Sequence, residues 1–283
     1  MKLSGLIIRS LFVFLLSYFS FKLNAQEQIK SSGYVPSVGQ AGKDVIWVPT
    51  PSELVDKMLE IAGVTEKDIV IDLGSGDGRT VIAAAKLGAQ AVGIEYNPEM
   101  VEVSKNKAKE AGVSEKTKFI QTDLFEYDLS EATVITMFLL PEINLKLRPR
   151  LLDLKPGTRI VSNTFTMGEW DPDYEVTIGN QLSSWSTALL WIIPAKVEGK
   201  WSLGLGELTI HQEFQMINGT LKIDDKISNI TEGRLKGDLI TFSVNEETYT
   251  GKVNGNSIIS GTVTSSTIKR DWTATRSDLS LTP

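Results

Sequence analysis

The sequence contains no cysteine and a single histidine. A chain without cysteine forms no disulfide bond, builds no thiolate metal site and offers no cysteine nucleophile. The one histidine, His211, stands beside Gln212 in a strand-like alternation of polar and apolar residues. We interpret it as an ordinary surface residue rather than as a catalytic base or a metal ligand.

Basic residues are also few, since 29 lysines and arginines face 35 acidic residues and give a net charge of −6. Proteins that bind nucleic acid need clustered positive charge to contact phosphates, and this sequence has no such cluster. We therefore predict that neither DNA nor RNA is a partner. A basic protein or a small amine is a more suitable partner for an acidic chain than a nucleic acid is.

The N-terminal segment differs from the rest of the chain. It carries Lys2 and Arg9, an apolar run over 11–21, and the small residue Ala25 before Gln26. The run is too short to span a bilayer comfortably, so we predict that residues 1–25 are a cleaved signal peptide and that the protein is exported to the periplasm or cell envelope. The alternative is an uncleaved membrane anchor, with the protein held near the membrane and facing the cytoplasm. Residues 26–43 are polar and rich in glycine and serine, which predicts a flexible lead-in.

The stretch from Ile69 to Gly78 predicts a nucleotide-type binding turn. Its apolar first half is typical of a buried strand, and a helix is predicted to begin at about Arg79. The glycines of Gly74-Ser75-Gly76-Asp77-Gly78 allow positive φ and let a ligand approach the main chain, because no Cβ stands in the way. No Lys-Ser or Lys-Thr follows these glycines, which excludes a P-loop.

Acidic residues surround this turn, where a phosphate site would carry positive charge. Asp72 lies in the end of the strand and Asp77 lies within the turn. Glu95 ends a second predicted strand about twenty residues later, where a β-α-β unit places a carboxylate on the ribose hydroxyls. Three acids suit a ligand that carries an amino group and a sulfonium better than they suit a pyrophosphate.

The segment Asp72-Leu-Gly-Ser-Gly-Asp-Gly-Arg79, together with Glu95 and Gln121-Thr-Asp-Leu-Phe125, resembles the S-adenosylmethionine (SAM) site of class I, seven-stranded methyltransferases. The resemblance implies that the methionine end is held by Asp72 and by the turn of Gly74, Ser75, Gly76 and Asp77. It further implies that Glu95 holds the ribose, that Asp123 holds the adenine amino group, and that Tyr96 and Leu124 flank the base. The alternative, a Rossmann dehydrogenase or a nucleotide-sugar enzyme, is disfavoured because the turn lacks the third-glycine spacing of the dinucleotide fingerprint.

The alternation of strand and helix signals predicts an α/β fold for residues 44–195, with a Rossmann-like, seven-stranded methyltransferase sheet. The strands are predicted at 69–73, 91–95, 116–120, 132–140 and 158–163, with a closing antiparallel pair at 174–178 and 187–193. The helices are predicted over about ten residues around 54–62, and at 79–87, 98–111 and 141–154.

Residues 196–283 predict a second, small all-β domain. Short alternating segments, one of them spanning 207–217, are separated by turns rich in asparagine, aspartate and glycine. The segment 233–240 resembles 251–258 at a spacing of eighteen, which predicts successive hairpins in a meander or a small barrel.

The carboxyl ends of the fourth and fifth strands are predicted to line a substrate mouth. The fourth strand leads into Thr136-Met-Phe-Leu-Leu-Pro141, which departs from the Asn/Asp-Pro-Pro-aromatic motif of many related amine and nucleobase methyltransferases and disfavours a base nitrogen as acceptor. No triplet of histidines and carboxylates follows, so no metal is predicted. The candidate mouth residues are Trp47, Pro49, Thr50, Phe138, Phe165 and Trp170. Packing against the core is the alternative role for each of them.

Two further segments, Trp47-Val-Pro-Thr-Pro51 and Phe165-Thr-Met-Gly-Glu-Trp-Asp-Pro172, resemble a branch that includes lysine methyltransferases acting on the c-ring protein of mitochondrial ATP synthase and on the adenine-nucleotide carrier. This resemblance implies methyl transfer from SAM to an amine such as a protein lysine. Such transfer needs alignment and a dry pocket more than a base, so we assign no catalytic side chain. The competing hypothesis is an exported SAM- or nucleoside-binding protein without catalysis, in which the β domain carries recognition.

Overall fold

The computed structural model of the protein describes residues 34–179, 185–204, 206–267 and 269–277. The predicted signal peptide and residues 26–33 of the predicted lead-in lie outside these residues. The described residues from Pro36 onwards belong to one compact unit that contains two β-sheets. Within the described ranges, no helix is both long and apolar enough to cross a bilayer.

The first sheet has seven strands in the order β3-β2-β1-β4-β5-β7-β6, which confirms the predicted Rossmann-like methyltransferase architecture. Strands β3, β2, β1, β4 and β5 pair in parallel, whereas β7 runs antiparallel to both β5 and β6. The strands are β1 (Ile69–Leu73), β2 (Gln90–Glu95), β3 (Thr117–Gln121), β4 (Val134–Met137), β5 (Arg159–Asn163), β6 (Tyr174–Thr177) and β7 (Thr187–Ile192).

Helices cover this sheet and bury its apolar strands. They are α1 (Ser52–Ile61), α2 (Arg79–Lys86), α3 (Pro98–Glu110) and α4 (Pro141–Leu152), with a 3₁₀ turn at Ser114–Lys116. Helix α1 forms because Leu54, Val55, Met58 and Leu59 recur at helical spacing and bury one face against β5 and β7. Asn97 caps the start of helix α3, because its side chain accepts hydrogen bonds from the free backbone N–H groups of Glu99 and Met100.

Strand β4 is shorter than predicted. The sequence suggested a strand over 132–140, whereas β4 spans Val134–Met137. Its neighbour β1 ends at Leu73, which pairs with Met137, and the chain then turns away at Gly74. Phe138 and the two residues after it therefore have no partner strand there, and they lie at the edge of the sheet where the site is found.

The second sheet closes into an eight-stranded antiparallel barrel. The ring runs β10-β12-β13-β14-β15-β16-β8-β9 and returns to β10, while β11 forms a hairpin with β10 outside the ring. Large side chains such as Trp201, Phe242 and Tyr249 fill the interior. The strands are β8 (Gly199–Leu203), β9 (Gly206–Glu213), β10 (Met216–Ile223), β11 (Lys226–Asn229), β12 (Thr231–Lys236), β13 (Leu239–Val244), β14 (Glu247–Asn254), β15 (Ser257–Thr264) and β16 (Lys269–Arg276).

The prediction of one strand over 207–217 is wrong, because the chain turns at Phe214 and Gln215 between β9 and β10. Phe214 has a φ of 52°, a left-handed conformation that a bulky residue rarely adopts. The alternation of polar and apolar residues continues through these two positions, so the sequence pattern hides the turn. Both side chains leave the barrel wall and contact the first sheet's loops instead, as described below.

Candidate functional site

A pocket opens at the carboxyl ends of the parallel strands, around the glycine turn. The backbone N–H groups of Gly74 and Ser75 both donate to the carbonyl of Ile94, each at 2.9 Å, which fixes the turn to the end of β2. Gly76 has a φ of 53°, and a Cβ built there would lie 2.5 Å from Nε1 of Trp47. The turn therefore requires glycine at this position, both for its backbone angle and for the close approach of Trp47.

Asp72 is a buried carboxyl at the end of β1. It accepts a hydrogen bond of 2.7 Å from the hydroxyl of Thr136 on β4. Burial raises the pKa of Asp72 to about 7; the Thr136 hydrogen bond opposes that rise, and the charges of Glu95 and Asp77 add to it. A carboxyl in this setting gains from a cationic partner, which would compensate for its lost hydration.

Asp77 plays a different part from Asp72, because it is already paired. Arg79 donates to both of its carboxylate oxygens, at 2.9 and 2.8 Å, and Lys107 lies 2.6 Å from one of them. Burial acts to raise the pKa of Asp77, but these two cations outweigh it and bring the pKa down to about 2. Arg79 also donates to the carbonyl of Thr50 at 2.8 Å. The geometry thus makes Asp77 an anchor of the turn.

Glu95 lies at the end of β2 and is oriented by the backbone on both sides. One carboxylate oxygen accepts from the N–H of Gly76 and the other from the N–H of Asn97, each at 2.9 Å. Each oxygen retains capacity to accept a further hydrogen bond. The carboxylate is therefore held in a fixed position at the pocket wall with acceptor sites left over.

Asp123, after β3, forms an ion pair with Lys43. The Lys43 ammonium also lies 4.9 Å from the centre of the Tyr96 ring, so it sits beside two residues that the sequence assigned to adenine. The hydrogen bond from Lys43 lowers the pKa of Asp123 below its usual value. Leu124 lines the same pocket. Sequence reasoning missed Lys43, because no local motif marks a contact between residues eighty positions apart.

Residues 40–50, which we call the strap, form one wall of the pocket. The strap folds back on itself through the N–H of Trp47, which donates to the carbonyl of Gln40 at 2.9 Å. At its end, the Thr50 hydroxyl accepts a hydrogen bond of 3.3 Å from the amide of Asn163 on β5. The structure thus brings the predicted mouth residues Trp47, Pro49 and Thr50 to the pocket.

Aromatic residues line the pocket where β4 and β5 end. The Phe138 and Phe165 rings stack with centroids 5.8 Å apart, and Trp185 meets Phe138 edge-on at 6.0 Å. We call Phe138, Phe165 and Trp185 the acceptor mouth. Trp185, which sequence reasoning missed, precedes β7 and is 41% exposed. The one available signal was a tryptophan in the largely polar connection between the closing strands.

Trp170, the remaining mouth candidate, lies elsewhere. It is fully buried, and its indole Nε1 donates to the side chain of Gln215 at 2.8 Å. Its ring stacks on Phe214 with centroids 5.7 Å apart. Trp170 therefore belongs to the junction between the two sheets, and Trp185 takes the place that the sequence assigned to it.

Across the described ranges, no three histidine, aspartate or glutamate side chains are grouped so that they could hold a metal ion. His211 is exposed on β9, with Nδ1 3.2 Å from a carboxylate oxygen of Glu198. It lies in the barrel and is not among the residues that line the pocket.

Comparison with known proteins identifies the family. The model of the ANTKMT methyltransferase domain matches residues 72–174. A protein-lysine N-methyltransferase of Saccharolobus islandicus is 46% identical over 142 residues, which cover 49% of this chain and 84% of that relative. The chain belongs to the ANTKMT family of SAM-dependent methyltransferases.

Two other relatives extend the comparison for this methyltransferase. The adenine nucleotide translocase lysine N-methyltransferase of Mus musculus is 36% identical over 36% of this chain, a match that spans only 46% of the mouse protein. An RNA methyltransferase from Salinibacter ruber, solved in complex with S-adenosyl-L-homocysteine, is 51% identical over 53% of this chain and 96% of that chain, with a TM-score of 0.50. The barrel lies outside residues 72–174, which the family model matches.

The residues present fit SAM as the methyl donor. The glycine turn has no Cβ at Gly74 and Gly76, and unpaired acceptor capacity faces the pocket at Asp72 and Glu95. The buried hydroxyl of Ser75 has no hydrogen-bond partner among the residues that the structure describes. This oxygen packs against β2, where a Cβ built on Gly93 would lie 2.6 Å from it. The fit to SAM therefore rests on the open glycine turn and on the two carboxylates.

Proposed function

We propose that this methyltransferase transfers the methyl group of SAM to the side-chain amine of a protein lysine. The observation that carries the proposal is the acceptor mouth. Its three aromatic rings line the same pocket as the acidic residues of the donor site, at the ends of β4 and β5. SAM, when bound, supplies a methyl group activated by its sulfonium. The protein's part is to hold the donor, to orient the amine and to exclude water.

The donor is held by three carboxylates in this proposal. Asp72 accepts from the ammonium of the methionine end, Glu95 accepts from the ribose hydroxyls, and Asp123 accepts from the adenine amino group. Support for this assignment comes from their positions, Asp72 and Glu95 at the ends of β1 and β2 and Asp123 just after β3, at one edge of the sheet. Tyr96 and Leu124 line the adenine end, and the turn from Gly74 to Asp77 supplies a main-chain surface without obstructing side chains.

The acceptor amine enters between the aromatic rings. A lysine ammonium is attracted to the faces of aromatic rings by cation–π interaction, and removing it from water lowers its pKa. A lysine that loses its proton to water before transfer needs no dedicated base, and the protein then acts by alignment. Phe138, Phe165 and Trp185 are suited to both tasks, because their rings present apolar surface with a negative face.

Charge favours an amine over RNA as the acceptor. Among the described residues that line the pocket there are five acids against two bases, Lys43 and Arg79; the acids are Asp44, Asp72, Asp77, Glu95 and Asp123. Both bases are already paired, Lys43 with Asp123 and Arg79 with Asp77. A polyanion would meet uncompensated negative charge here, whereas a lysine side chain would be attracted. The relatives named as lysine methyltransferases support the same choice.

The proposal is tested by supplying the purified protein with tritiated SAM and a cell extract divided into two halves. One half is treated with protease and the other with RNase before the enzyme is added, and the treating enzymes are inactivated. We expect label in the RNase-treated half and none in the protease-treated half. The Glu95→Ala variant serves as the control, because it keeps the acceptor mouth and loses the ribose acceptor.

Label that survives protease and disappears with RNase would contradict a protein acceptor and favour RNA. Equal labelling by wild type and Glu95→Ala would show that Glu95 is not part of the donor site. Both results are read from the same gels, so the donor assignment and the acceptor assignment fail independently.

A further inference from the structure

The loop that carries Phe165 is held between helix α4 and the barrel. We call residues 164–173 the mouth loop. Its first part places Phe165 in the acceptor mouth, and its second part, from Trp170 to Asp173, contacts the barrel. The barrel therefore contacts the segment that supplies one of the three rings.

Gln215, in the turn between β9 and β10, makes the central contact. Its side-chain oxygen accepts from Trp170 Nε1 at 2.8 Å, and its side-chain nitrogen donates to the carbonyl of Asp171 at 2.8 Å. The residue is only 3% exposed, and its own carbonyl accepts from the N–H of Leu235 on β12 at 2.7 Å. Gln215 is thus attached to the barrel wall, and it satisfies the buried indole N–H of Trp170 and the carbonyl of Asp171 in the mouth loop.

Phe214 continues this contact towards helix α4. Its ring stacks on Trp170 with an angle of 13° between the ring planes. The guanidinium of Arg148, on helix α4, lies 5.4 Å from the centre of the Phe214 ring. Arg148 in turn donates to the carbonyl of Met167 at 2.9 Å and pairs with Glu169 at 2.9 Å. The barrel turn and helix α4 are therefore bound to the same loop and to each other.

A second ion pair secures the end of the mouth loop. Arg234 on β12 lies 2.7 Å from a carboxylate oxygen of Asp173. The other oxygen of Asp173 accepts from the N–H of Ile192 on β7 at 2.8 Å. Asp173 thus joins the barrel to the edge of the first sheet.

The start of the mouth loop needs such support. Thr164 is a β-branched residue with a φ of 62°, a conformation that costs energy unless the surroundings impose it. The side-chain amide of Asn144 donates to the carbonyls of Phe165 and Thr166, at 3.2 and 3.1 Å. A bridge between Met167 and Trp170 then links this strained start to the part that the barrel holds.

We propose that the barrel turn of Phe214 and Gln215 positions the mouth loop, and with it the Phe165 ring, for the incoming amine. The barrel is then an integral part of the acceptor site rather than a separate binding module. Gln215 acts as a positioning residue, through Trp170 and the backbone of Asp171. This inference rests on the proposed acceptor mouth.

The test uses the full chain with Gln215→Leu, which keeps much of the side-chain volume and removes both hydrogen bonds. Phe242→Leu is the matched control, because Phe242 stacks on Tyr249 inside the barrel and its loss destabilises the barrel without touching the mouth loop. Hydrogen–deuterium exchange is measured on peptides covering 164–173 and 74–78, at a temperature where all variants are folded. Methyl transfer from tritiated SAM is measured on whichever half of the divided extract the wild type labels.

We expect exchange over 164–173 to become about tenfold faster in Gln215→Leu and to stay unchanged in Phe242→Leu, since only the former loses the contacts that hold the loop. The glycine turn keeps its protection, SAM affinity stays within about twofold, and methyl transfer falls by about fivefold or more in Gln215→Leu. Unchanged exchange in Gln215→Leu, or an equal change in Phe242→Leu, would overturn the inference. So would full transfer activity with a loosened loop. An acceptor other than lysine would count against the proposed function alone, because exchange does not depend on the acceptor.

Discussion

Replacing Asp72 by asparagine should make the protein more stable at neutral pH and less able to bind SAM. The pKa of Asp72 is raised from 3.8 to about 7, chiefly by burial. The folded state therefore keeps its proton at pH values where the unfolded state has released it. The stability that the protonated carboxyl contributes is present below about pH 4 and is lost as pH rises towards 7. A pKa raised by about three units lowers the free energy of unfolding by roughly 4 kcal/mol at pH 8, relative to a carboxyl whose pKa is the same in both states.

Asparagine is neutral at every pH, is nearly the same size and still offers an oxygen to Thr136. Its amide nitrogen lacks an assigned acceptor, which costs about 1–3 kcal/mol and reduces the gain. We expect Asp72→Asn to melt several degrees higher than wild type at pH 8, with the difference shrinking as pH falls towards 5. Thermal denaturation across this pH range, followed by circular dichroism, measures both curves.

The same substitution removes the charged acceptor for the ammonium of SAM. A hydrogen bond to a charged group contributes about 1.5–3 kcal/mol, so affinity should fall by about 10- to 150-fold in calorimetric titrations at pH 8. In wild type, affinity should weaken by about tenfold per pH unit below 7, because the carboxyl must release its proton first, whereas the variant should show no such slope. A variant that is less stable than wild type at pH 8, by an amount independent of pH, would refute the burial argument. Undiminished SAM affinity would refute the assigned role of Asp72.

Three other substitutions test separate parts of the site. Lys43→Ala should tighten SAM binding by a few-fold, because it frees Asp123 and the Tyr96 face for adenine. Lys105→Ala on α3 removes the same charge and should leave SAM affinity unchanged. Weaker binding in Lys43→Ala would mean that the lysine itself holds the ligand. Gly76→Ala should destabilise the protein by about 1–2 kcal/mol in urea titrations, since alanine disfavours a positive φ. The added Cβ should also displace Trp47 and change its fluorescence, and an unaltered spectrum would contradict the close contact. Trp185→Ala should raise the KM for the acceptor by about 3- to 30-fold with SAM affinity unchanged, and Trp185→Phe should retain most of the activity. Equal KM values for wild type and Trp185→Ala would remove Trp185 from the mouth.

Local sequence signals predicted the donor side of the molecule. The apolar run before the glycines, the turn itself and the acid at the end of β2 are each set by residues close together in the chain. Strand β1 therefore starts and ends where the sequence placed it, and helix α2 begins at Arg79 as predicted. The Lys43–Asp123 pair was not predicted, because its two residues lie eighty positions apart and no local motif joins them.

The choice between Trp170 and Trp185 depended on the barrel. Both tryptophans follow strands of the first sheet and stand among polar residues, so local pattern does not separate them. Trp170 is buried where its indole N–H bonds to Gln215, forty-five residues further on. Gln215 lies in the turn between β9 and β10, which the alternating sequence pattern does not predict. Trp185 is left to meet Phe138 at the mouth.

Methylation of a protein lysine leaves a stable product that can be identified chemically. The protein labelled from tritiated SAM is hydrolysed in acid, and its amino acids are separated by chromatography against methylated standards. We expect label in ε-N-methylated lysine for wild type and its loss with Glu95→Ala. Label in methylated arginine, or label that base releases as methanol from a carboxyl ester, would contradict it.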